Sequence, residues 1–103
     1  MQFSVYKNTN AASQAAFPLL LDVQSNLLNE LHSCVVIPLS RAKIGQVAMT
    51  RLSPTVRIDD EDYVLHTAQM SSMKRKILGA CVADLSAQRD VFIGALDFLI
   101  SGV

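Results

Sequence analysis

The alternation of apolar and polar positions begins at the first residues. Phe3, Val5 and Lys7 fall on one face and Gln2, Ser4 and Tyr6 on the other, the period-two pattern of a strand. Asn8 to Ala16 is small and polar and predicts a loop or a wide hairpin connection. A strand resumes from Phe17 to Val23. Pro18 cannot donate to a ladder, so it belongs at the start of that strand or on a sheet edge. Val35-Val36-Ile37-Pro38-Leu39 is a β-branched run and predicts a buried strand interrupted by its proline. Thr55-Val56-Arg57-Ile58 alternates, Asp59-Asp60-Glu61-Asp62 makes a tight acidic turn, and Tyr63-Val64-Leu65 follows. Residues 55 to 68 therefore predict a hairpin. Ile77-Leu78-Gly79 predicts one more short strand.

The period changes only at the end of the chain. Val91, Phe92, Ala95, Leu96 and Leu99 recur at helical spacing and form a broad apolar stripe. Asp84 or Ser86 supplies an N-terminal cap for a helix starting near Ala87. Phe98 and Ile100 lie off the centre of the stripe and leave the last turn apolar nearly all round. One small β-core would struggle to cover such a turn. Many strands followed by one helix predict a mainly β, mostly antiparallel domain with a C-terminal α-helix packed beside it. A length of 103 residues has room for one domain, spanning 1–103.

Composition sharpens this picture. Half of the residues are apolar, which in a small domain points to an apolar surface buried against a partner, and so to an oligomer. Nine Lys plus Arg balance nine Asp plus Glu, so no global field draws nucleic acid or an anionic membrane to the chain. No stretch approaches the roughly 18 apolar residues of a spanning helix. The first residues lack the basic start and apolar run of a secretory signal. The expected location is the cytoplasm, with no membrane partner. Cys34 and Cys81 each sit among aliphatic residues and read as buried small hydrophobes, not as a disulfide or metal pair.

Catalytic chemistry is thin. Ser, His and Asp are present without any local signature that gathers them. His32 and His66 lack metal-ligand spacing and read as surface or edge residues. The acidic run at Asp59 lacks the glycine and terminal glutamate of a calcium loop. Lys74-Arg75-Lys76 is the one basic cluster and reads as a solvated loop. No phosphate-binding loop or dinucleotide fingerprint occurs. The expectation is a binding protein, not an enzyme, with no catalytic residue, no metal and no cofactor.

Met1-Gln2-Phe3 with Val5-Tyr6, Leu21-Asp22-Val23-Gln24-Ser25 and Val36-Ile37-Pro38-Leu39 together carry a resemblance to the CcdB family of gyrase-poisoning toxins. It continues through Pro54 with Val56 and Ile58, Met70 with Ser72, Val82-Ala83-Asp84-Leu85-Ser86 with Arg89, and Gly102 before Val103. These matches are collinear and span the chain. They imply a small SH3-like β-barrel with an added small sheet and a C-terminal helix, working as a homodimer. The implied target is the A subunit of DNA gyrase, held on cleaved DNA.

The gyrase-contacting positions implied by the resemblance are Leu27 and Leu28 after the Asp-Val-Gln-Ser motif, then Asp97, Ile100, Ser101, Gly102 and Val103. Ser101 stands where the best-known member has tryptophan, a departure that bears on affinity and stacking. The family also implies a cognate antitoxin whose disordered C-terminal arm wraps the toxin. Toxin and antitoxin together repress their promoter, so DNA is met only through the antitoxin. The implied antitoxin contacts fall in Asn8 to Ala16 and Arg41 to Arg51, with Asn8, Asn10, Arg41, Lys43 and Arg51 as candidates. The alternative is an mRNA-cleaving toxin of the MazF type on the same barrel, recruiting Arg41, Arg51 or Arg57 with Ser40, Thr50 or Thr55.

Overall fold

The computed structural model describes residues 1–43 and 51–102. Strands β1 (Ser4–Lys7), β2 (Leu19–Asp22) and β3 (Ser33–Arg41) form an antiparallel meander. The hairpin of β4 (Thr55–Ile58) and β5 (Glu61–Leu65) extends it from the C-terminal half of β3. Strand β6 (Ser71–Lys74) pairs with the N-terminal half of β3, and β7 (Cys81–Asp84) closes on β1. The result is one curled sheet ordered β4-β5-β3-β2-β1-β7, with β6 off that path. Helix α1 (Arg89–Ser101) ends the chain, so the protein is mainly β with one C-terminal α-helix.

All four residues of β2 are buried, because both faces of the sheet are covered. Leu19 and Leu21 point into the main core with Val5, Ile37, Leu39 and Leu65. Leu20 points the other way, to a smaller cluster with Cys34 and Val36 that Met73 and Leu78 cover. Helix α1 seals the main core with Phe92, whose ring centroid lies 5.2 Å from that of Phe3. Ile93 and Leu96 pack beside it, whereas Val91 is 45% exposed and lies outside the stripe expected of it. Phe3 takes this place at φ +66°, a left-handed backbone that costs a bulky residue on the order of 1–3 kcal/mol.

Several expectations need correction. Strand β3 runs unbroken through Pro38. The Pro38 carbonyl accepts from His66 N–H, so its missing donor faces the gap where β6 ends and β5 begins, and no ladder bond is lost. Ile77-Leu78-Gly79 is no strand: Arg75–Ile77 is a 3₁₀ turn, and the last strand starts at Cys81. Cys81 is exposed, because its strand is an edge whose register shifts at Val5/Tyr6. Cys34 is buried as expected, and burial pushes its thiol pKa up. The helix begins at Arg89 after a 3₁₀ turn at Ser86–Gln88, and Asp84 Oδ1 accepts from Ser86 N–H at 2.9 Å to cap that turn. The acidic hairpin is as expected, with the turn tightened to Asp59 and Asp60, both at positive φ.

Candidate functional site

The Asp-Val-Gln-Ser motif builds a rigid pedestal. Asp22, fully buried at the end of β2, accepts Gln24 N–H at 3.0 Å on one carboxylate oxygen. Its other oxygen is 3.5 Å from Arg75 Nη1 and 3.4 Å from the Met1 amino group. Arg75 also donates from Nε to the Leu31 carbonyl at 3.0 Å. It is therefore a structural cation, not part of a solvated loop. The Gln24 amide accepts from Val35 N–H at 3.3 Å and donates to the carbonyls of Leu28, 3.3 Å, and Ser33, 3.1 Å. Ser25 Oγ accepts Leu27 N–H at 3.2 Å and caps a 3₁₀ turn at Asn26–Leu28. What this frame holds up is apolar. Leu27 is 93% exposed, and Leu28 and Leu31 are 47% and 50% exposed. Burying one leucine side chain fully is worth about 1.5–3 kcal/mol, which the isolated chain forgoes here.

A second apolar tip closes helix α1. Gly102 stands at φ +76° and donates its N–H to the Phe98 carbonyl at 3.0 Å, a left-handed cap that suits glycine. Ser101 Oγ donates to the Asp97 carbonyl at 2.8 Å. Ile100 is 75% exposed, and Asp97, Ser101 and Gly102 are exposed with it. Val103 lies outside the described residues. Arg51, expected among the antitoxin contacts, stacks its guanidinium over Phe98 at 4.7 Å, beside this tip.

The turn and the tip are separate patches on one chain. Gln2 ties the turn to the start of the helix: its N–H donates to Asn26 Oδ1 at 2.8 Å, and its side-chain carbonyl accepts from Arg89 Nη1 at 3.1 Å. The helix has 13 residues, so its tip lies about 20 Å from Arg89 along the axis. Among the described residues, no hydrogen bond, ion pair or ring contact joins residues 26–28 to 97–102.

Four of the five antitoxin candidates gather around the loop between β1 and β2. Asn8 is buried and organises that loop, donating to Ser13 Oγ at 3.0 Å and Phe17 O at 2.8 Å, and accepting from Asn10 N–H at 3.0 Å. Asn10 Oδ1 accepts Ala12 N–H at 2.9 Å. Asn8 and Arg41 line a groove of about 370 Å³ with Tyr63. Arg41 and Lys43 line the next, of about 480 Å³, with Phe17, Ser40 and His66. His66 is half-buried rather than a plain surface residue: its Nε2 lies 2.6 Å from Ser40 Oγ, Phe17 packs edge-on, and burial lowers its pKa. Of the arginines open to an mRNA-cleaving role, Arg41 pairs with Glu61 at 3.1 Å and Arg57 with Asp62 at 3.2 Å. Thr50 and the segment 44–50 lie outside the described residues.

The described residues contain no cluster of three potential metal ligands and no helix long and apolar enough to cross a membrane. Sequence reasoning missed Gln2, Arg75 and Arg89, whose partners lie 24, 53 and 87 residues away. Their one signal was a place inside or beside the family motifs.

The curled sheet with one terminal helix has a counterpart among solved structures. A solved crystal structure of an Mtb toxin is similar over 84% of this chain and 94% of its own, with a TM-score of 0.65 and 16% identity. At that identity the likeness is one of fold. The family model for CcdB protein matches residues 2–102, and the chain belongs to the CcdB family. Family and fold together support a toxin of a toxin–antitoxin system, with an antitoxin as partner.

Proposed function

We propose that this protein poisons DNA gyrase: as a homodimer it binds the A subunit and holds the enzyme on cleaved DNA. It breaks no bond itself and acts in the cytoplasm. A poison of this kind works by differential affinity, and turning a 1:99 equilibrium into 99:1 takes about a 10⁴-fold preference for the trapped state. The cognate antitoxin neutralises it, and the two together repress their promoter. The observation that carries the reading is Leu27, 93% exposed on a turn whose backbone is fixed by Asp22, Gln24 and Ser25. A rigidly presented aliphatic side chain loses little entropy on binding. The exposed Ile100 at the capped helix end adds a second patch, and two-fold symmetry would present each patch twice. Supercoiled DNA with gyrase and the pure protein should accumulate linear, protein-linked product. Unchanged relaxation and supercoiling with no cleaved product would reject the reading.

One observation favours the second reading. Ser40 and His66 lie at hydrogen-bond distance beside Arg41 and Lys43 in one concavity, an arrangement open to cleavage of an RNA backbone. The ion pairs of Arg41 and Arg57 weigh against it. Fragmentation of single-stranded RNA by the pure protein, abolished by Ser40→Ala and His66→Asn, would establish it.

A further inference from the structure

We propose that β6 and the cavity beside it form a further docking site, which takes the antitoxin's arm as an extended acidic segment added to the sheet as a strand. This rests on the reading of the protein as a toxin with an antitoxin partner. The site is distinct from the loop between β1 and β2 and adjoins the turn at Leu27 through Leu31, whose N–H donates to the Leu28 carbonyl at 3.1 Å.

The backbone provides the first half of the argument. Val35 uses its N–H and C=O on the β2 side, accepting from Val23 and donating to Gln24. Its neighbours Cys34 and Val36 therefore face β6, where the register sets them opposite Met73 and Ser71. By the same alternation, the N–H and C=O groups of Ser72 and Lys74 point away from β3. Among the described residues β6 pairs with β3 alone, which leaves this edge open, and Ser71, Ser72 and Lys74 are exposed along it. An open edge with polar side chains is a template for an incoming strand.

Charge provides the second half. Where β6 ends, Leu31, His32, Lys74, Arg75 and Lys76 line a cavity of about 660 Å³. Arg75 is held by Asp22 and Leu31, and its Nη2 is buried without a partner. Lys74 and Lys76 are exposed and make no ion pair among the described residues. Glu30 is the one acid on this rim. A chain of zero net charge has thus collected three cations on one wall, while Asp59 to Asp62 gather on a different hairpin. Leu31, half-exposed, makes the floor apolar. Carboxylates on the lysines with an aliphatic side chain against Leu31 satisfy both features, in the alternating pattern of an extended strand. Apart from the His32 imidazole, no aromatic ring lines the cavity for nucleic-acid bases to stack on, which disfavours RNA.

The test uses the full-length toxin and the cognate antitoxin's C-terminal arm as a fluorescent synthetic peptide, read by anisotropy. The double variant Lys74→Glu/Lys76→Glu should weaken arm binding about tenfold or more, most at low salt, and leave gyrase cleavage unchanged. Ser72→Pro removes only an outward-facing donor and should also weaken the arm. Equal binding of the arm to wild type and both variants overturns this site and leaves the antitoxin reading standing. Failure of the arm to bind wild type at all overturns both. Binding of a single-stranded RNA 12-mer, or self-association of the toxin, that the double variant alone abolishes would assign the site to that occupant and overturn the proposal.

Discussion

Replacing Leu27 by alanine separates folding from poisoning at a single side chain. The side chain is 93% exposed, so the folded protein gains almost nothing from it. Its backbone is held by the Ser25 cap and the Gln24 amide, neither of which the substitution touches. Stability should stay within about 0.5 kcal/mol, and Tm within about 3 °C. Binding is another matter. Alanine lacks three carbons of leucine, each worth about 0.8 kcal/mol when removed from water. If the leucine is fully covered in the complex, its truncation costs about 2.4 kcal/mol, or roughly 60-fold in Kd. Calorimetric titration of Leu27→Ala against a purified gyrase A fragment, with Tm measured on the same sample, checks both halves. Val91→Ala is the control, since Val91 is also exposed but belongs to neither patch. An unchanged Kd for Leu27→Ala, or a loss shared equally by Val91→Ala, would refute the reasoning. So would a large fall in Tm.

Gln24→Ala should act through the pedestal. It strips three hydrogen bonds from the turn, costing about 2 kcal/mol and about 10 °C in Tm, and gyrase binding should weaken with it. Removal of residues 101–103 should abolish gyrase trapping and growth arrest while Tm stays nearly constant, because the stripe residues Phe92, Ala95 and Leu96 remain; unfolding of the truncated protein would count against that tip. His66 gives a pH signature. Burial lowers its folded pKa below the ordinary 6.5, so below that pH the unfolded chain takes up a proton first. Stability present above pH 6.5 should therefore be lost as pH falls through the folded value, and His66→Gln should flatten Tm against pH in that window.

The parts of the fold legible in the sequence were those where local chemistry and tertiary context agree. Asp59-Asp60 between two alternating runs specifies its hairpin through turn residues alone, and the core stripe of α1 follows from spacing. Pro38 misled because the rule that proline breaks a strand assumes a neighbour on both sides at that residue. Here the neighbours change from β6 to β5 at that point. Strand β6 has no apolar alternation, since Ser71, Ser72 and Lys74 face solvent, so nothing in its pattern distinguishes it from a loop. Cys81 deceived in the opposite sense: aliphatic neighbours promised burial, but an edge strand exposes part of its length.

The candidate site divides in the same way. The helix end was reachable as apolar residues in excess of what a small core needs, whereas Leu27 and Leu28 came from the family resemblance, which gave both groups a role. Their support was not reachable. The buried Asp22 carboxylate, the Gln24 amide, Arg75 and the Gln2–Arg89 link are long-range pairings between polar residues, and no periodicity encodes such a pairing. The stacking of Arg51 on Phe98 was not reachable either, because it depends on the fold.

The most direct test of the central claim is the sedimentation of the purified protein alone and with a purified gyrase A fragment at micromolar concentration. Alone, the protein should run at about twice its chain mass of 11.2 kDa. With the fragment, one dimer should form a single complex with two A fragments, and a cognate antitoxin arm should dissolve it. A clean monomer, or a dimer that leaves gyrase A untouched, would contradict the account.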